Sequence, residues 1–135
     1  MVEGCIFCRI VAGELPSFAV AENERAYAFA DTSPATRGHT LVVPRVHSAD
    51  IHEIAHDDLS ACVLLAKEVA AWATSRLGAA GVNLLHSAGA GAWQTVFHFH
   101  IHVIPRYLGD PLRLPWTPEL GDQAAIAAAA AELRG

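Results

Sequence analysis

Short apolar runs separated by polar breaks fill the first third of the chain. Residues 18–21, 26–30 and 39–43 are such runs, and each has the length of a short strand. Turn-forming residues lie between them at 22–25 and 31–34. Short connections of this kind join antiparallel neighbours. The pattern therefore predicts an antiparallel meander.

A longer segment in the middle of the chain has helical periodicity. Asp57 and Asp58 are suited to an N-cap, and Gly78 is suited to a C-terminal stop. Between them, apolar residues recur at steps of three and four, which places them on one helix face. The predicted face comprises Leu59, Cys62, Val63, Ala66, Val69, Ala70, Ala73 and Leu77.

Two more strands are predicted after this helix, at 82–86 and 96–104, with Pro105 ending the second. The glycine-containing stretch at 87–92 lies between them. The following segment should be extended because it contains several prolines: Pro111, Pro115 and Pro118. Asp122 is expected to cap an alanine-rich helix up to Leu133 that docks weakly, because alanine buries little surface.

These elements predict one α+β domain over residues 1–135. A short helical turn or loop is expected at residues 5–13, since this segment is too brief for a firmer assignment. The compact core is expected to span about residues 5–106. Residues 107–135 form a proline-rich tail and the terminal helix.

Composition and charge exclude several classes of protein. Of the 135 residues 53% are hydrophobic and 17% charged, whereas a disordered chain has few apolar residues and many charges. The net charge of −5 argues against a nucleic-acid-coating surface. No apolar run approaches the ~18 residues of a membrane span, and no signal region is visible, so we expect a cytoplasmic protein without a membrane partner. Three cysteines do not suggest a disulfide framework.

Alternating histidines are the strongest chemical signal. If residues 96–104 form a strand, His98, His100 and His102 share one face, because side chains alternate along a strand. Such an array can supply nucleophiles, proton carriers or metal ligands. The alternative is a polar strand face that happens to use histidine. Gln94 and Thr95 follow the glycine-containing stretch, whose free N–H groups could hold phosphate oxygens, although the glycines could also form a plain surface turn.

A Cys-x-x-Cys pair at Cys5 and Cys8 is the second signal. It could be a redox motif, half of a zinc site or a chance spacing. We favour structural zinc over free thiols, with His47 and His98 as candidates for the two further ligands that such a site requires. Cys62 lies on the apolar helix face and is expected to be a core residue.

A third pattern, His-Glu-Ile-Ala-His at residues 52–56, matches a metalloprotease signature. It precedes the predicted helix cap, so part of it should lie in a loop, and no third ligand follows at a known spacing. A metalloprotease is therefore a remote alternative.

Several motifs in order resemble the histidine triad (HIT) family of nucleotide hydrolases and transferases. They are Ile6-Phe7, the segment 29–34, the segment 38–44, Gln94-Thr95-Val96-Phe97, and the triad with its two following hydrophobic residues. The resemblance covers roughly residues 5–106. Cys5-x-x-Cys8 and the Ile-Pro-Arg at 104–106 are similar to the bacterial, zinc-containing branch.

The resemblance implies an α+β fold with an antiparallel sheet, one long packed helix and a homodimer. The helix from Val63 to Leu77 is the candidate dimer contact, although its apolar face could equally be core. By the same resemblance zinc would be structural and held by Cys5, Cys8, His47 and His98.

The resemblance also implies catalytic roles for the triad, His98, His100 and His102. His100 would attack the α-phosphorus of a nucleotide and form a nucleotidyl-histidine. His102 would contact the phosphate and help to protonate the leaving group. A backbone carbonyl near His86 or Ser87 could accept the proton on the other His100 nitrogen.

Substrate binding follows from the same family pattern. Asp31 would accept the ribose hydroxyls, although it could also be a turn former. Gln94 and Thr95 would hold the phosphate. Four residues would form the apolar slot for the base, namely Ile6, Phe7, Ile10 and Phe29, and any of them could instead be plain core.

Two residues depart from the family pattern. Ser87 stands where an asparagine that contacts the ribose is expected, and Trp93 stands where glycine is common. A large indole there could narrow the pocket or stack on a second base. These departures affect the expected substrate more than the expected chemistry.

The leading hypothesis is a hydrolase of purine nucleotide conjugates of the adenosine 5′-phosphoramidate type, with zinc as its only metal and no cofactor needed for the chemistry. A dinucleoside polyphosphate hydrolase is the close alternative. A nucleotide-binding regulatory protein with little turnover is the alternative of another class.

Overall fold

A five-stranded antiparallel sheet forms the centre of the molecule in the computed structural model, which describes residues 1–135. The strands are β1 (Ala19–Glu22), β2 (Ala26–Ala30), β3 (Thr40–Pro44), β4 (Gly81–Leu85) and β5 (Ile101–Arg106), and their spatial order is β1-β2-β3-β5-β4. Three helices accompany them: α1 (Ile6–Val11), α2 (His56–Leu77) and α3 (Gln123–Arg134). The predicted α+β class with an antiparallel sheet and one long helix is confirmed.

Alternating side chains of the central strands cover the two faces of the sheet. On one face, Ala28, Val42 and Val103 pack against α2 in a core cluster that includes Cys62 and Leu65. On the other face a smaller cluster comprises Phe7 from α1 with Phe29, Leu41 and Val43. Helix α1 is therefore held against the sheet by Phe7, with Ile10 and Val11 packed beside it, and Cys5 and Cys8 lie on that face as well.

The buried apolar face of α2 agrees with the predicted one except at two positions. Leu65 is 1% exposed and was not predicted, whereas Val63 is 47% exposed and the prediction that it belongs to the face was wrong. The buried positions 58, 62, 65, 66, 69 and 73 follow the helical repeat. Apolar character alone cannot decide whether Val63 or Leu65 is buried, because both side chains are apolar.

Both ends of α2 have a clear physical basis. Gly78 ends the helix in the left-handed region at φ +72, as predicted. The N-cap is Ala55, so the prediction of Asp57 or Asp58 as cap was wrong. Both acids lie in the first turn, where their negative charges interact favourably with the positive end of the helix dipole. Asp58 also accepts a hydrogen bond from Arg25 at 3.0 Å.

Strand β5 begins and ends later than predicted. It starts at Ile101 and continues past Pro105 to Arg106, so His98 and His100 precede the strand. The Phe99 N–H donates to Ser48 O at 2.6 Å, and the His98 ring bonds Pro44 O at 2.9 Å. These contacts take the segment out of the ladder. Within β5, His102 lies between Leu41 of β3 and Leu85 of β4.

The C-terminal helix buries no side chain. Its predicted cap is confirmed, since the Ala125 N–H donates to Asp122 at 2.9 Å. Before it, Arg106 and Asp110 form an ion pair at 2.7 Å. None of the helices has the length and apolar character needed to cross a bilayer.

Candidate functional site

A cavity of about 340 Å³ lies beside α1 and β2, on the sheet face opposite α2. We call it the His100 cavity. It brings together most of the predicted site residues: Ile6, Phe7, Ile10, Phe29, Asp31, Thr95, His100 and His102. Phe7 and Phe29 make an edge-to-face pair with ring centroids 5.5 Å apart, which gives this cavity a rigid apolar wall.

His100 is held in one tautomer. Its Nδ1 lies 2.8 Å from the His98 carbonyl oxygen, which can only accept, so the Nδ1–H donates. Nε2 then carries the lone pair. It has no hydrogen-bond partner in the protein, and it is not fully buried. Burial lowers the pKa of His100, which keeps the ring neutral near pH 7. A neutral imidazole with a free Nε2 is the form required of a nucleophile.

The prediction that His86 or Ser87 would supply this acceptor carbonyl was wrong. The segment 98–100 lies outside the strand, so the His98 carbonyl can turn back to the His100 ring. His86 instead donates from Nδ1 to the His100 carbonyl at 3.0 Å, while its Nε2 accepts from the Ile51 N–H at 3.1 Å. The His86 ring also stacks on Phe99, with centroids 4.5 Å apart. His86 therefore holds the backbone of the nucleophile.

A chain of hydrogen bonds also sets the tautomer of His102. The Ala35 N–H donates to His39 Nδ1 at 2.9 Å, so the proton of a neutral His39 is on Nε2. His39 Nε2 lies 2.8 Å from His102 Nδ1 and donates to it. His102 consequently carries its own proton on Nε2. Burial, with smaller contributions from His100 and His39, lowers the pKa of His102 to about 4, so the ring is neutral at pH 7.

Asp31 lies at the edge of this chain. One of its oxygens accepts from the Ser33 N–H at 2.8 Å, and the other is 3.5 Å from His39 Nε2. The carboxylate thus shapes the turn, as one expectation had it, and it also lines the His100 cavity. His39 was not predicted as a site residue, although it belongs to the 38–44 motif.

The side chain of Gln94 bonds only to backbone groups. Its Oε1 accepts from the Gly89 N–H at 2.7 Å, and its Nε2 donates to Ala49 O at 2.7 Å and to Val96 O at 3.1 Å. These contacts do not support the predicted role of this side chain in holding phosphate. Gln94 instead fixes the loop that presents Thr95 to the His100 cavity.

Ser87 does not line the His100 cavity. It is buried and lines a separate open cavity with Trp93 and His86. Its predicted role in substrate binding therefore has no support from the His100 cavity.

A second cluster brings Cys5, Cys8, His47 and His98 together. The Sγ atoms of Cys5 and Cys8 lie 3.4 and 3.5 Å from His98 Nδ1, and His47 Nδ1 is 3.4 Å from Cys8 Sγ and 3.2 Å from His98 Nδ1. Tetrahedral zinc with ligands at ~2.0–2.3 Å separates its ligand atoms by about 3.3–3.8 Å. The separations match those of a four-ligand zinc site.

The tautomer of His98 also suits a metal. Its Nε2–H donates to Pro44 O, so Nδ1 directs a lone pair into the cluster. His98 therefore has two separate functions, since its ring faces the cluster and its carbonyl orients His100. Cys62 lies apart in the α2 core, where burial raises its pKa to about 12.

The metalloprotease pattern does not form a site. His56 begins α2, while His52 and Glu53 lie in the preceding turn. Two groups of side chains are close enough together to hold a metal ion, namely Cys5, Cys8, His47 and His98, and Asp31, His39 and His102. Neither group contains His52, Glu53 or His56. The structure gives this alternative no support.

Comparison with known proteins identifies the family of this chain. The model of the HIT domain matches residues 12–109. Protein hit of Bacillus subtilis is 38% identical over 121 residues, which are 89% of this chain and 83% of that protein.

Two solved structures are also similar. A Zn-bound histidine triad family protein from Mycobacterium smegmatis has a TM-score of 0.78 and 35% identity, covering 97% of this chain and 96% of that one. A histidine triad nucleotide-binding protein from Candida albicans has a TM-score of 0.83 and 31% identity, covering 97% and 95%. On the strength of the family match and these relatives, this chain belongs to the HIT family.

Proposed function

We propose that this protein hydrolyses purine nucleotide conjugates at the α-phosphorus through a covalent intermediate on His100. The observation that carries the proposal is the tautomer of His100, whose Nδ1–H is held by the His98 carbonyl while Nε2 is free at the cavity. The histidine triad nucleotide-binding protein of Candida albicans supports a nucleotide as the ligand.

The cavity suits the three parts of a nucleotide. Phe7 and Phe29 would contact the flat base, and Ile6 and Ile10 would close the slot around it. The Asp31 carboxylate would accept hydrogen bonds from the ribose hydroxyls. Thr95 and the Nε2–H of His102 would donate to the α-phosphate oxygens, which fixes the phosphorus beside His100.

The reaction would occur in two displacements. In the first, the lone pair of His100 Nε2 forms a bond to the α-phosphorus, and the bond from phosphorus to the leaving amine or phosphate breaks with its electron pair. The leaving group takes up a proton, for which the Nε2–H of His102 is placed. In the second, water attacks the phosphorus and gives a proton to His102 Nε2, which lost its own in the first step. The Nε2–phosphorus bond breaks, and a nucleoside monophosphate is released.

Zinc has a structural role in this proposal. Cys5, Cys8, His47 and His98 would hold it, and when bound it would fix α1 and the segment before β5 without contacting the phosphorus. The zinc-bound relative from Mycobacterium smegmatis supports this assignment.

Release of AMP from adenosine 5′-phosphoramidate tests the function directly. We expect steady turnover of this substrate, and kcat/KM lower by about 10-fold or more for the 2′,3′-dideoxy analogue, because Asp31 then loses its partners. Liquid chromatography of the product measures both rates. A folded protein that binds AMP but releases none from either this substrate or a dinucleoside polyphosphate would be a binding protein instead.

We also propose that the chain forms a homodimer. Strand β4 is an edge of the sheet, and its Leu84 is 52% exposed. Val63 and Leu64 of α2 are exposed as well, which gives the molecule unpaired apolar surface on two neighbouring elements. Sedimentation equilibrium at micromolar concentration should give twice the chain mass of 14.3 kDa. A single species at the chain mass would contradict the proposal.

A further inference from the structure

Trp93 has a backbone conformation that glycine would adopt without strain. Its φ is +77, and it is the one non-glycine residue with a positive φ. Despite this strain the indole is not used for core packing, since the residue is 69% exposed. A large aromatic side chain that is both strained and exposed contributes little to folding, which points to a role outside the core.

The loop that carries Trp93 is fixed by hydrogen bonds. The Trp93 N–H donates to Ala90 O and the Gln94 N–H to Gly89 O, each at 3.1 Å. The Gln94 side chain adds the three bonds described above, from its buried position. The indole therefore projects from a defined point, two residues before Thr95, which lines the His100 cavity.

The indole borders a second open cavity of about 350 Å³, which we call the Trp93 cavity. Leu85, His86, Ser87, Gly91 and Ala92 complete its lining, and none of them lines the His100 cavity. Its mixed character, with an aromatic ring beside a hydroxyl and an imidazole, suits a flat ligand that also carries polar groups.

Both cavities border the pair of strands that carries His102. Leu85 pairs with His102 where β4 meets β5, and the next residue, His86, donates to the His100 carbonyl at 3.0 Å. The Trp93 cavity therefore begins where β4 leaves the sheet beside His100. The base slot at Ile6 and Phe7 is lined by α1, a different element of the fold.

We propose that Trp93 stacks on the second base of a dinucleoside polyphosphate, and that the Trp93 cavity is the subsite for the departing nucleotide. This inference rests on the proposed function, because it assigns a place to the leaving group of that reaction. Attack by His100 Nε2 on the first α-phosphorus would then break the bond to the polyphosphate chain and release a nucleoside polyphosphate. Water would release AMP from His100 in the second displacement. Stacking recognises any base because every base has a π-face, so this subsite would select for a second nucleoside without selecting its identity.

The test compares two substrates that differ only in the second nucleoside, diadenosine tetraphosphate and adenosine 5′-tetraphosphate. We expect Trp93→Gly to lower the ratio of their kcat/KM values, first over second, roughly 10-fold, because a base-stacking contact is lost. Trp93→Phe keeps an aromatic ring and should retain most of the ratio. A ratio that is the same in wild type and Trp93→Gly would overturn the subsite.

Binding separates this inference from the proposed function. Calorimetry with the His100→Asn protein, with and without Trp93→Gly, measures the affinity of the protein for the same two compounds without cleaving either of them. The subsite predicts that only the tetraphosphate with two nucleosides loses affinity on Trp93→Gly. Equal losses for both compounds would overturn it, whereas the proposed function fails only if wild-type protein cleaves neither these compounds nor the phosphoramidate.

Discussion

His100→Asn is expected to lower the rate of AMP release from adenosine 5′-phosphoramidate by at least ~10³-fold, because the substitution removes the nucleophile of the first displacement and the leaving group of the second. Asparagine can still donate from its amide to the His98 carbonyl, so the local backbone should be preserved. Steady-state rates of wild type and variant, measured under identical conditions, give the factor directly.

The same variant should fold and still bind AMP. His52→Asn is the matched control, since His52 belongs neither to the group of Cys5, Cys8, His47 and His98 nor to that of Asp31, His39 and His102. We expect the activity of this variant to equal that of wild type. Near-normal turnover by His100→Asn would show that another group attacks the phosphorus. Loss of activity in His52→Asn would revive the alternative based on the residues at 52–56.

Cys8→Ser is expected to abolish stoichiometric zinc binding and to lower the melting temperature by about 10 °C or more. Removal of one thiolate opens a four-ligand site whose binding free energy contributes directly to folding. Metal analysis by atomic emission and thermal unfolding, each with and without a chelator, measure the two effects. The chelator should destabilise the wild type strongly and the variant little.

Cys62→Ala is the control for cysteine chemistry, because Cys62 is buried in the α2 core and lies apart from the cluster. It should retain full zinc content while losing some stability from the small cavity. Equal zinc content in Cys8→Ser and Cys62→Ala would contradict the assignment. Because the cluster is away from the phosphorus, chelation should reduce stability more than the initial rate at low temperature.

The meander could be predicted from the sequence because the signals that define its strands and turns lie within short stretches of the chain. Alternation and turn chemistry locate β2 at its observed bounds, and β3 within one residue. The start of β5 could not be predicted in this way. Whether residues 98–100 join the ladder depends on Pro44 O and Ser48 O, which come from a segment some fifty residues earlier in the chain.

Some of the site residues could likewise be predicted from the sequence, whereas others could not. Cys5 and Cys8 are visible as a spaced pair, and the alternating triad identifies His100 as the central histidine. The residues that orient the catalytic histidines or hold their backbone were missed or misassigned. His39 and His86 act through backbone partners at Ala35, Ile51 and residue 100, which no spacing rule connects to them. Gln94 was assigned to phosphate because its polarity was visible and its backbone partners were not.

The exposed terminal helix has a consequence for how this protein can evolve. Since α3 buries no side chain, exchanges among good helix formers there disturb no part of the buried core. Its sequence is free to drift as long as helix propensity and the Asp122 cap are kept. The opposite holds for a residue such as His98, whose ring and carbonyl serve two different neighbours. Similarity between distant descendants of this chain should therefore fade first in α3, while its helical shape persists.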